Sequence, residues 1–462
     1  MRPGATWPGA LTRDGDKCIK EARRPGPEAR PIASDPAMDA EARYSRQLRF
    51  APIGREGQRR LGAAVVLIVG VGALGASLAQ HLVRAGVGSV RLADRDYVEL
   101  SNLQRQTLFD EDDARASLPK AVAAARRLQA INSAVRVEPH VLDVHAGSLD
   151  PLLAGVQLVL DGTDNAQTRL LLSEACYRRG LPLVYGGVAG SGGMSALLEP
   201  GRTACLRCLI GADAPESPDG LTCESLGVIG PAVEFTAALQ AAEALKWLAG
   251  DAAALRRTLV AFELWPFGLR ELALPEPADD CPVCGGGGCS AVAAPVERRY
   301  TGMAEAGGPA ARTAEQRAPT ARLAGHPVGH GERAESEERV AKRRDARSAP
   351  RGETTVRSDG QPGQTQATVL CGRDTVQVTL GVPLALREWG ERLVARGLEV
   401  AANPYLVRAE LKDGRRLVLF GDGRVLVQGT ADAQEALALC GKFVDPETAG
   451  AAAQGGGRRT TI

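Results

Sequence analysis

The sequence lacks three features that would each indicate a different class of protein. It has no apolar run near the roughly 20 residues that a membrane-spanning helix needs, and its first residues include no apolar core of a secretory signal. It also lacks a charge excess, since the formal net charge is +1, so nothing indicates binding to nucleic acid or a membrane surface. We therefore expect a cytoplasmic protein, in which the ten cysteines serve metal binding or chemistry more often than disulfides.

What the sequence does contain is typical of a globular protein with more than one domain. Its 462 residues exceed the usual size of a single core, and its 44% hydrophobic and 24% charged residues are ordinary proportions. Segments dominated by Pro, Arg, Gly and Ala, with few large apolar residues, are predicted to be disordered. The predicted organisation is a disordered tail at 1–37 with Met38 as a candidate start of translation, a first domain at 38–289, a disordered linker at 290–366, a small module at 367–445 and a disordered tail at 446–462.

The first domain is organised around a glycine turn that follows a predicted strand. Residues 65–69 are apolar without alternation, which is typical of a strand covered on both faces, and a helical pattern occupies 76–85. Between them, Gly70, Gly72 and Gly75 form G-x-G-x-x-G. Such glycines allow a tight turn, a close approach of the backbone to a phosphate, and close packing of helix on strand. The turn predicts a nucleotide site without distinguishing NAD from ATP.

Polar residues beyond the turn favour ATP. Asp94 ends the next predicted strand, at the distance past Gly75 where nucleotide-binding α/β units place the acid that binds a ribose hydroxyl. Asn102, Arg105 and Lys120 follow, and a dinucleotide fold does not require them. A triphosphate concentrates negative charge, which a forked guanidinium and an ammonium can bind.

The segment DGTDN at 161–165 supplies a candidate magnesium ligand. It follows a predicted strand at 156–160, and a carboxylate at the carboxyl end of such a strand, facing phosphates, suits Mg²⁺. Of its two acids we favour Asp164 over Asp161. For either residue the alternative is a helix N-cap, where Asp is also preferred.

Two C-x-x-C pairs predict a structural zinc site. Cys205 with Cys208, and Cys281 with Cys284, each have the spacing of a thiolate pair, and two pairs complete a tetrahedral set. Four protein ligands leave no open position, so this zinc would join loops without taking part in catalysis. The alternatives are a redox pair or unpaired core cysteines, and Cys289 is a rival ligand that has no partner at the same spacing.

The motifs RYSRQ, GVGALG, the D-x-D that begins at Asp94, SNLQRQ, the lysine of LPK and DGTDN occur in this order. Together they resemble the E1-like adenylyltransferases of the ThiF/MoeB/HesA group from about Arg43 to Cys284. The resemblance implies an α/β, Rossmann-like fold with a mostly parallel sheet. It also implies an enzyme that uses ATP and Mg²⁺ to adenylylate the C-terminal Gly-Gly carboxylate of a ubiquitin-like sulfur carrier of the ThiS or MoaD type, releasing pyrophosphate. The implied pathway is thiamine or molybdenum-cofactor biosynthesis.

The resemblance assigns roles to several residues. The ribose acid of the family matches Asp94, its phosphate-binding groups match Asn102, Arg105 and Lys120, and its magnesium-associated acid matches Asp164. Asn165 is also expected at the nucleotide. The resemblance implies that Arg46 reaches the nucleotide across a dimer interface, and Cys223 matches a loop cysteine that some relatives link covalently to the activated carrier. One departure is Ala73, where many relatives have a further glycine.

Two of these assignments have alternatives from the residues alone. Arg43, Arg46 and Arg49 recur at three-residue spacing, and such a face is most often merely solvated. A free thiol such as Cys223 is only a few per cent thiolate near pH 7, so it can equally be a mobile loop thiol.

The partners implied are the sulfur carrier, a second copy of this chain, and a sulfurtransferase or cysteine desulfurase, with neither nucleic acid nor membrane. The rival functions are a zinc-containing NAD-dependent oxidoreductase and a nucleotide-sensing scaffold.

The remaining segments predict core elements and a second fold. The glycine-rich stretch at 186–193 is predicted to be a turn or groove for an extended peptide tail, and 237–249 an apolar helix with Glu243 and Lys246 facing outward. Cys176 is predicted to lie in the core. The module is predicted to be α+β, for interaction or carrier docking, and it lacks the cysteine-centred loop of a rhodanese. Its predicted elements are a strand or hairpin at 368–380, strands within 398–411, 415–420 and 424–430, and helices at 383–397 and 431–444.

Overall fold

The computed structural model describes residues 36–211, 226–285, 355–357, 365–370 and 374–444. These residues form two sheets, one of eight strands in the first domain and one of seven in the C-terminal module. Cys223 and Cys289 lie outside the described residues. So do residues 1–35 of the predicted N-terminal tail, the predicted tail at 446–462 and most of the predicted linker. No helix within the described ranges is long and apolar enough to cross a membrane.

The eight-stranded sheet is formed by β1 (Val65–Val69), β2 (Ser89–Asp94), β3 (Arg136–Val141), β4 (Leu158–Asp161), β5 (Leu183–Ala189), β6 (Gly192–Leu198), β7 (Thr258–Leu264) and β8 (Phe267–Ala273). Its strand order is β3-β2-β1-β4-β5-β6-β7-β8. The first five strands in that order are parallel and the others pair antiparallel, which confirms the predicted mostly parallel sheet. The chain crosses from one side of β1 to the other between β3 and β4, and such a switch point leaves a crevice at the carboxyl ends of the strands.

Helices cover both faces of this sheet. The helices of the described first domain are α1 (Pro36–Leu48), α2 (Gly54–Ala63), α3 (Ala73–Ala85), α4 (Glu111–Arg115), α5 (Lys120–Ile131), α6 (Ala146–Leu153), α7 (Ala166–Arg179), α8 (Leu206–Ile210) and α9 (Gly230–Ala249), with short 3-10 turns at Leu100–Asn102 and Ala252–Ala254. One core lies under α3, α5 and α9, with residues such as Leu78, Leu128 and Ala244, and the other lies under α6, α7 and α8, with Leu152 and Tyr177. Burial of the strands on both faces explains why β1 is apolar without alternation.

Several helix boundaries differ from the sequence prediction. Helix α9 begins at Gly230, well before the predicted start at Ala237. Helix α1 begins at Pro36, inside the predicted tail, and ends at Leu48. Arg49 therefore lies beyond the helix, so the predicted arginine face holds only for Arg43 and Arg46. Helix α3 begins at Ala73, earlier than predicted, so that Gly75 lies in its first turn.

The prediction that Glu243 faces outward is wrong, because the structure buries its side chain. Its side chain is 1% exposed and accepts hydrogen bonds from the Lys246 ammonium at 2.7 Å and the Arg256 guanidinium at 2.9 Å. Burial acts to raise the pKa of this carboxyl, but the hydrogen bonds from Lys246 and Arg256 hold it below its usual value. Burial of a charge is tolerated when it is paired in this way.

The glycine-rich stretch at 186–193 is mostly strand, which corrects the prediction of a turn. Strand β5 continues to Ala189 and β6 begins at Gly192, so the turn is confined to the two residues between them. The glycines serve packing here, because a Cβ on Gly186 would lie 2.3 Å from the Gln240 side chain of α9. A Cβ on Gly193 would lie 2.3 Å from Thr236 of the same helix.

The C-terminal module is an antiparallel sheet with two helices, so the predicted α+β architecture is confirmed. Its elements are β9 (Thr355–Arg357), β10 (Gln366–Leu370), β11 (Thr375–Thr379), α10 (Leu386–Ala395), β12 (Glu399–Ala402), β13 (Leu406–Glu410), β14 (Arg416–Phe420), β15 (Arg424–Gln428) and α11 (Ala433–Phe443). The strand order is β12-β13-β14-β15-β11-β10-β9. All the predicted elements are present, and β9 is an additional strand inside the segment predicted to be a disordered linker. So short a strand can extend a sheet through backbone hydrogen bonds to β10 without any apolar pattern.

Candidate active site

The glycine turn between β1 and α3 depends on the absence of side-chain atoms. Gly70 has φ +81°, and a Cβ there would lie 2.7 Å from the backbone oxygen of Gly162. A Cβ on Gly75 would lie 1.8 Å from the backbone oxygen of Gly70, closer than any non-bonded contact. Gly72, at the N-cap of α3, has no atom closer than 3.6 Å to that position, so its backbone is open to a ligand.

A cavity of about 600 Å³ lies at the switch point of the sheet. Its wall is formed by residues at the carboxyl ends of β1 to β5, together with Gln104, Arg105 and Gln106, which follow the 3-10 turn after β2, and the start of α5. Of the predicted nucleotide residues, those that line it are Gly70, Gly72, Asp94, Arg105, Lys120, Asp164 and Asn165. The structure thus brings together groups from five separate segments of the sequence.

Asp94 is tied to the glycine turn. Its carboxylate accepts hydrogen bonds from the Val71 amide at 2.6 Å and the Asp96 amide at 2.7 Å. Burial raises the pKa of Asp94, and the nearby Lys120 ammonium acts in the opposite direction. The acid therefore fixes the turn while it lines the cavity, which is where a ribose hydroxyl would have to bind.

Lys120 is held beside the cavity by Asp96. The Lys120 side chain is 4% exposed, and its ammonium donates to the Asp96 carboxylate at 3.1 Å. A buried ammonium without such a partner would cost several kcal/mol. Asp96 was not assigned a role from sequence, although the D-x-D spacing with Asp94 places both acids at the end of β2.

Arg105 and Asn102 differ in how they face the cavity. Arg105 lines it and donates a hydrogen bond to the backbone oxygen of Ser101 at 3.0 Å. Asn102 is 5% exposed, does not line the cavity, and accepts from the Glu99 amide at 3.0 Å as part of its own 3-10 turn. In this structure Asn102 stabilises the turn that presents Arg105.

The two acids after β4 occupy different environments. Asp161 is fully buried, accepts from the amide and hydroxyl of Thr163, and lies 3.3 Å from the Arg169 guanidinium. Burial raises the pKa of Asp161, while Arg169 acts to lower it. Asp164 instead lines the cavity, and Asn165 caps α7 by accepting from the Thr168 amide. Asp164 is therefore the carboxylate accessible to a cation bound with phosphates.

Arg46 lies away from the cavity of its own chain. It is exposed on α1, and it does not line the cavity. The neighbouring Arg43 donates to the backbone oxygen of Ile131. Arg46 is therefore not part of the cavity wall that its own chain forms.

The four paired cysteines form a cluster, and three of them, Cys205, Cys281 and Cys284, belong to the core that lies under α6, α7 and α8. The four sulfur atoms all lie within 4.8 Å of one another. Among the described residues, these four cysteines form the group that is arranged to hold a metal ion. The measured pairs are Cys205–Cys208 at 3.8 Å, Cys205–Cys281 at 3.7 Å and Cys208–Cys284 at 3.6 Å. Four sulfurs placed tetrahedrally about 2.3 Å from a zinc ion would be about 3.8 Å apart. The donor set therefore fits zinc.

Cys176 lies in the core, as predicted. It is fully buried on α7, and burial raises the pKa of its thiol to about 12. It has neither the exposure nor the thiolate character of a reactive cysteine.

Several residues of the cavity wall were not predicted from the sequence. Arg95 and Asp143 follow β2 and β3, and Val188 lies at the end of β5. Leu370, from β10 of the C-terminal module, also lines the cavity. The positions at strand ends could have been found from the strand boundaries, but nothing in the sequence links Leu370 to a site in the first domain.

A parallel sheet with a glycine turn after β1, an acid after β2 and a cavity at the switch point defines a Rossmann-like nucleotide-binding protein. Within that class, the chain belongs to the ThiF family, whose model matches residues 44–283.

Three curated relatives are similar over different lengths. The chain is 37% identical over 405 residues to the sulfur carrier protein ThiS adenylyltransferase of Bacillus subtilis, covering 87% of this chain and 99% of that protein. It is 37% identical to the SAMP-activating enzyme E1 of Haloferax volcanii over 250 residues, 54% of this chain and 91% of the relative. It is 38% identical to the sulfur carrier protein adenylyltransferase of Thermus thermophilus over 249 residues, 53% of this chain and 90% of the relative. The Bacillus match is longer than the first domain, so that similarity extends beyond it.

Proposed function

We propose that this protein is an adenylyltransferase that uses ATP to activate the C-terminal Gly-Gly carboxylate of a ubiquitin-like sulfur carrier, for thiamine or molybdenum-cofactor biosynthesis. The observation that carries the proposal is the cavity of a ThiF-family domain, in which Arg105, Lys120 and Asp164 meet at the glycine turn. The sulfur-carrier adenylyltransferases among its relatives support the choice of substrate.

The proposed reaction needs positioning and positive charge more than acid–base catalysis. A C-terminal carboxylate, with an ordinary pKa of about 3.3–3.7, is already ionised at neutral pH. One carboxylate oxygen bonds to the α-phosphorus of ATP. The bond from that phosphorus to the oxygen that bridges the α- and β-phosphates breaks at the same time, which gives an acyl-adenylate and pyrophosphate. Arg105 and Lys120 are suited to binding the phosphates and stabilising the departing negative charge.

Asp164 would hold the magnesium ion. A carboxylate in a phosphate-binding cavity is a hard oxygen ligand of the kind that Mg²⁺ prefers. The alternative acid, Asp161, is fully buried and accepts a hydrogen bond from the Thr163 hydroxyl, so it is not accessible to an ion in the cavity. When bound, the ion neutralises phosphate charge that the side chains alone would have to balance. The backbone amides after Gly70 and Gly72 would orient the same phosphates.

The four-cysteine cluster would hold a structural Zn²⁺ that joins α8 to the turn at Cys281 and Cys284. With four sulfur ligands there is no open position for substrate. Because bound thiolates of this kind persist in a reducing compartment, we propose that the protein works in the cytoplasm.

A homodimer is part of the proposal. Arg46 is exposed on α1 and is absent from its own chain's cavity, so it would act on the nucleotide of a second copy. A symmetric dimer would then contain two composite sites, each with an arginine from the partner.

The test is ATP–pyrophosphate exchange with Mg²⁺ and a purified ThiS-type carrier. We expect exchange with the carrier that ends in Gly-Gly, and none with the same carrier lacking its last residue. Arg105→Ala should reduce exchange by about 10³, the loss seen for one cation at phosphate-transfer sites. Arg115→Ala is the matched control, because that arginine is 63% exposed on α4 and pairs only with acids of its own helix in the described residues. Absence of exchange with ThiS-type and MoaD-type carriers, together with NADH binding, would contradict the proposal.

A further inference from the structure

The sheet of the C-terminal module buries both of its faces. Alternate residues such as Val376, Leu417 and Val427 pack against α10 and α11. The other face holds a second apolar cluster, whose module residues are each at most 5% exposed, and whose sixth member is Tyr97 of the first domain. We call this second face the docking face; its apolar residues are Leu370, Leu406, Val418, Phe420 and Leu426.

Polar contacts fix how the docking face lies on the first domain. The Tyr97 hydroxyl donates to the side-chain oxygen of Gln428 at 3.1 Å. The Asn403 amide donates to the backbone oxygen of Ala116 at 2.9 Å, and the Arg408 guanidinium donates to the Ser117 hydroxyl at 2.8 Å. Such directional contacts around an apolar patch specify one orientation for the two parts.

The docking face also contacts residues of the nucleotide cavity. The Gln377 side-chain amide donates to one oxygen of Asp143 at 3.0 Å, and the other oxygen accepts from the Arg95 guanidinium at 3.1 Å. The Arg424 guanidinium donates to the backbone oxygen of Arg95 at 3.3 Å. Arg95, Asp143 and Leu370 all line the cavity, so the module contacts one wall and supplies part of it.

These contacts lie on the side of the cavity formed by β2 and β3. Arg95 follows Asp94, the proposed ribose acid, and precedes Asp96, which holds the Lys120 ammonium. The opposite side is formed by Val188 at the end of β5 and by Val228. A carrier tail approaching along β5 would therefore reach the cavity from the side away from the module.

We propose that the C-terminal module completes the nucleotide site. Gln377 and Arg424 are positioning residues that hold Asp143 and Arg95, and Leu370 closes the wall on the nucleoside side. The docked module therefore raises the affinity for ATP without contacting the carrier. The choice of ATP rests on the proposed function, but the docking geometry does not.

The test uses the full-length chain carrying Gln377→Leu, which removes the amide hydrogen bonds but keeps a side chain of similar size. We expect the equilibrium dissociation constant for ATP to rise about tenfold, equivalent to about 1.4 kcal/mol. The KM for ATP should rise with it, while the KM for the carrier and kcat stay near wild type. A purely structural defect would instead reduce the fraction of active protein and leave both KM values unchanged.

A second variant, Leu370→Ala, should also weaken ATP binding, because it opens the wall without removing a charge. Arg387→Ala is the control, since that side chain is 93% exposed on α10 and should leave ATP binding unchanged. Wild-type ATP affinity in both Gln377→Leu and Leu370→Ala would overturn the inference, even if carrier-dependent exchange proceeds normally. Weaker ATP binding in both variants, with no exchange in the wild type, would support the inference and overturn the proposed function.

Discussion

At the scale of single residues, the nucleotide turn depends on where side-chain atoms are absent. Gly70 and Gly75 pack backbone on backbone, with Gly162 completing the contact from the end of β4. Gly72 differs, because the space beside it is open to the cavity. The same motif therefore contains two glycines that serve packing and one that leaves room for a ligand.

Gly75→Ala should destabilise the first domain strongly. The added methyl group would lie 1.8 Å from the Gly70 backbone oxygen, and neither backbone can move without disturbing β1 or α3. We expect a loss of at least about 3 kcal/mol in the free energy of unfolding, measured by urea denaturation. Gly62→Ala is the matched control in helix α2, since nothing lies within 4 Å of its added Cβ. That control should be neutral or gain up to about 1 kcal/mol, and a similar loss in both variants would contradict this account.

The types and order of the residues predicted much of the site, but they did not predict which contact each side chain makes within it. The preference for Asp164 agrees with its position on the cavity wall, whereas Asp161 is buried beneath. The sequence could not reveal that Asn102 caps its own turn, because phosphate binding and turn capping require the same side-chain amide. It also could not identify Asp96 as the partner of Lys120, since ion pairing depends on the tertiary contact between β2 and α5.

At the scale of elements, strands with a clear apolar pattern could be predicted from the sequence. Strands whose residues are exposed, or rich in glycine because of close packing, could not. Strand β1 matches its predicted range, and every predicted element of the module is present. Strand β8 was missed because all seven of its residues are exposed, so burial imposes no period on its sequence. The stretch at 186–193, predicted to be a turn or groove, is mostly strand because close packing against α9 overrides the low strand propensity of glycine.

The four-cysteine cluster should stabilise the elements that it joins. Chelation of the metal, or Cys284→Ser, should remove about one zinc per chain and lower the midpoint of thermal unfolding by about 10 °C, since 1 kcal/mol corresponds to about 2–4 °C in a domain of this size. Metal content by mass spectrometry and calorimetry would measure both effects. Cys440→Ala is the control, because that cysteine is buried on α11 in the other module and should leave the zinc content unchanged. A zinc-free wild-type protein with an unchanged midpoint after chelation would contradict the assignment.

At the scale of the whole molecule, the association of the two parts was beyond sequence reasoning. The alternation in β14 places Leu417 and Leu419 on one face and Val418 and Phe420 on the other, and all four are buried. Such a pattern shows that both faces are covered, but not what covers the second. The partner is Tyr97 and its neighbours, which come from a loop of the first domain, far earlier in the chain.

A mixing experiment tests whether two chains share each site. Arg46→Ala and Arg105→Ala should each abolish exchange as separate homodimers. After subunit exchange, half of the dimers should be mixed, and each mixed dimer should contain one site with both arginines, restoring about a quarter of wild-type activity. Light scattering would establish the dimer. Mixtures that stay inactive despite proven subunit exchange would show that Arg46 does not act in the partner's site.

The position of Leu370 in the cavity wall has a consequence for how the protein is made. The first domain is complete at about Gly285, but the module that meets it at the cavity ends at Val444. At translation rates of about 5–20 residues per second, the ribosome needs on the order of ten to thirty seconds to add that last part. Newly made chains would thus acquire full nucleotide affinity only after the module has been made and has docked, and a chain truncated before the module would bind ATP weakly.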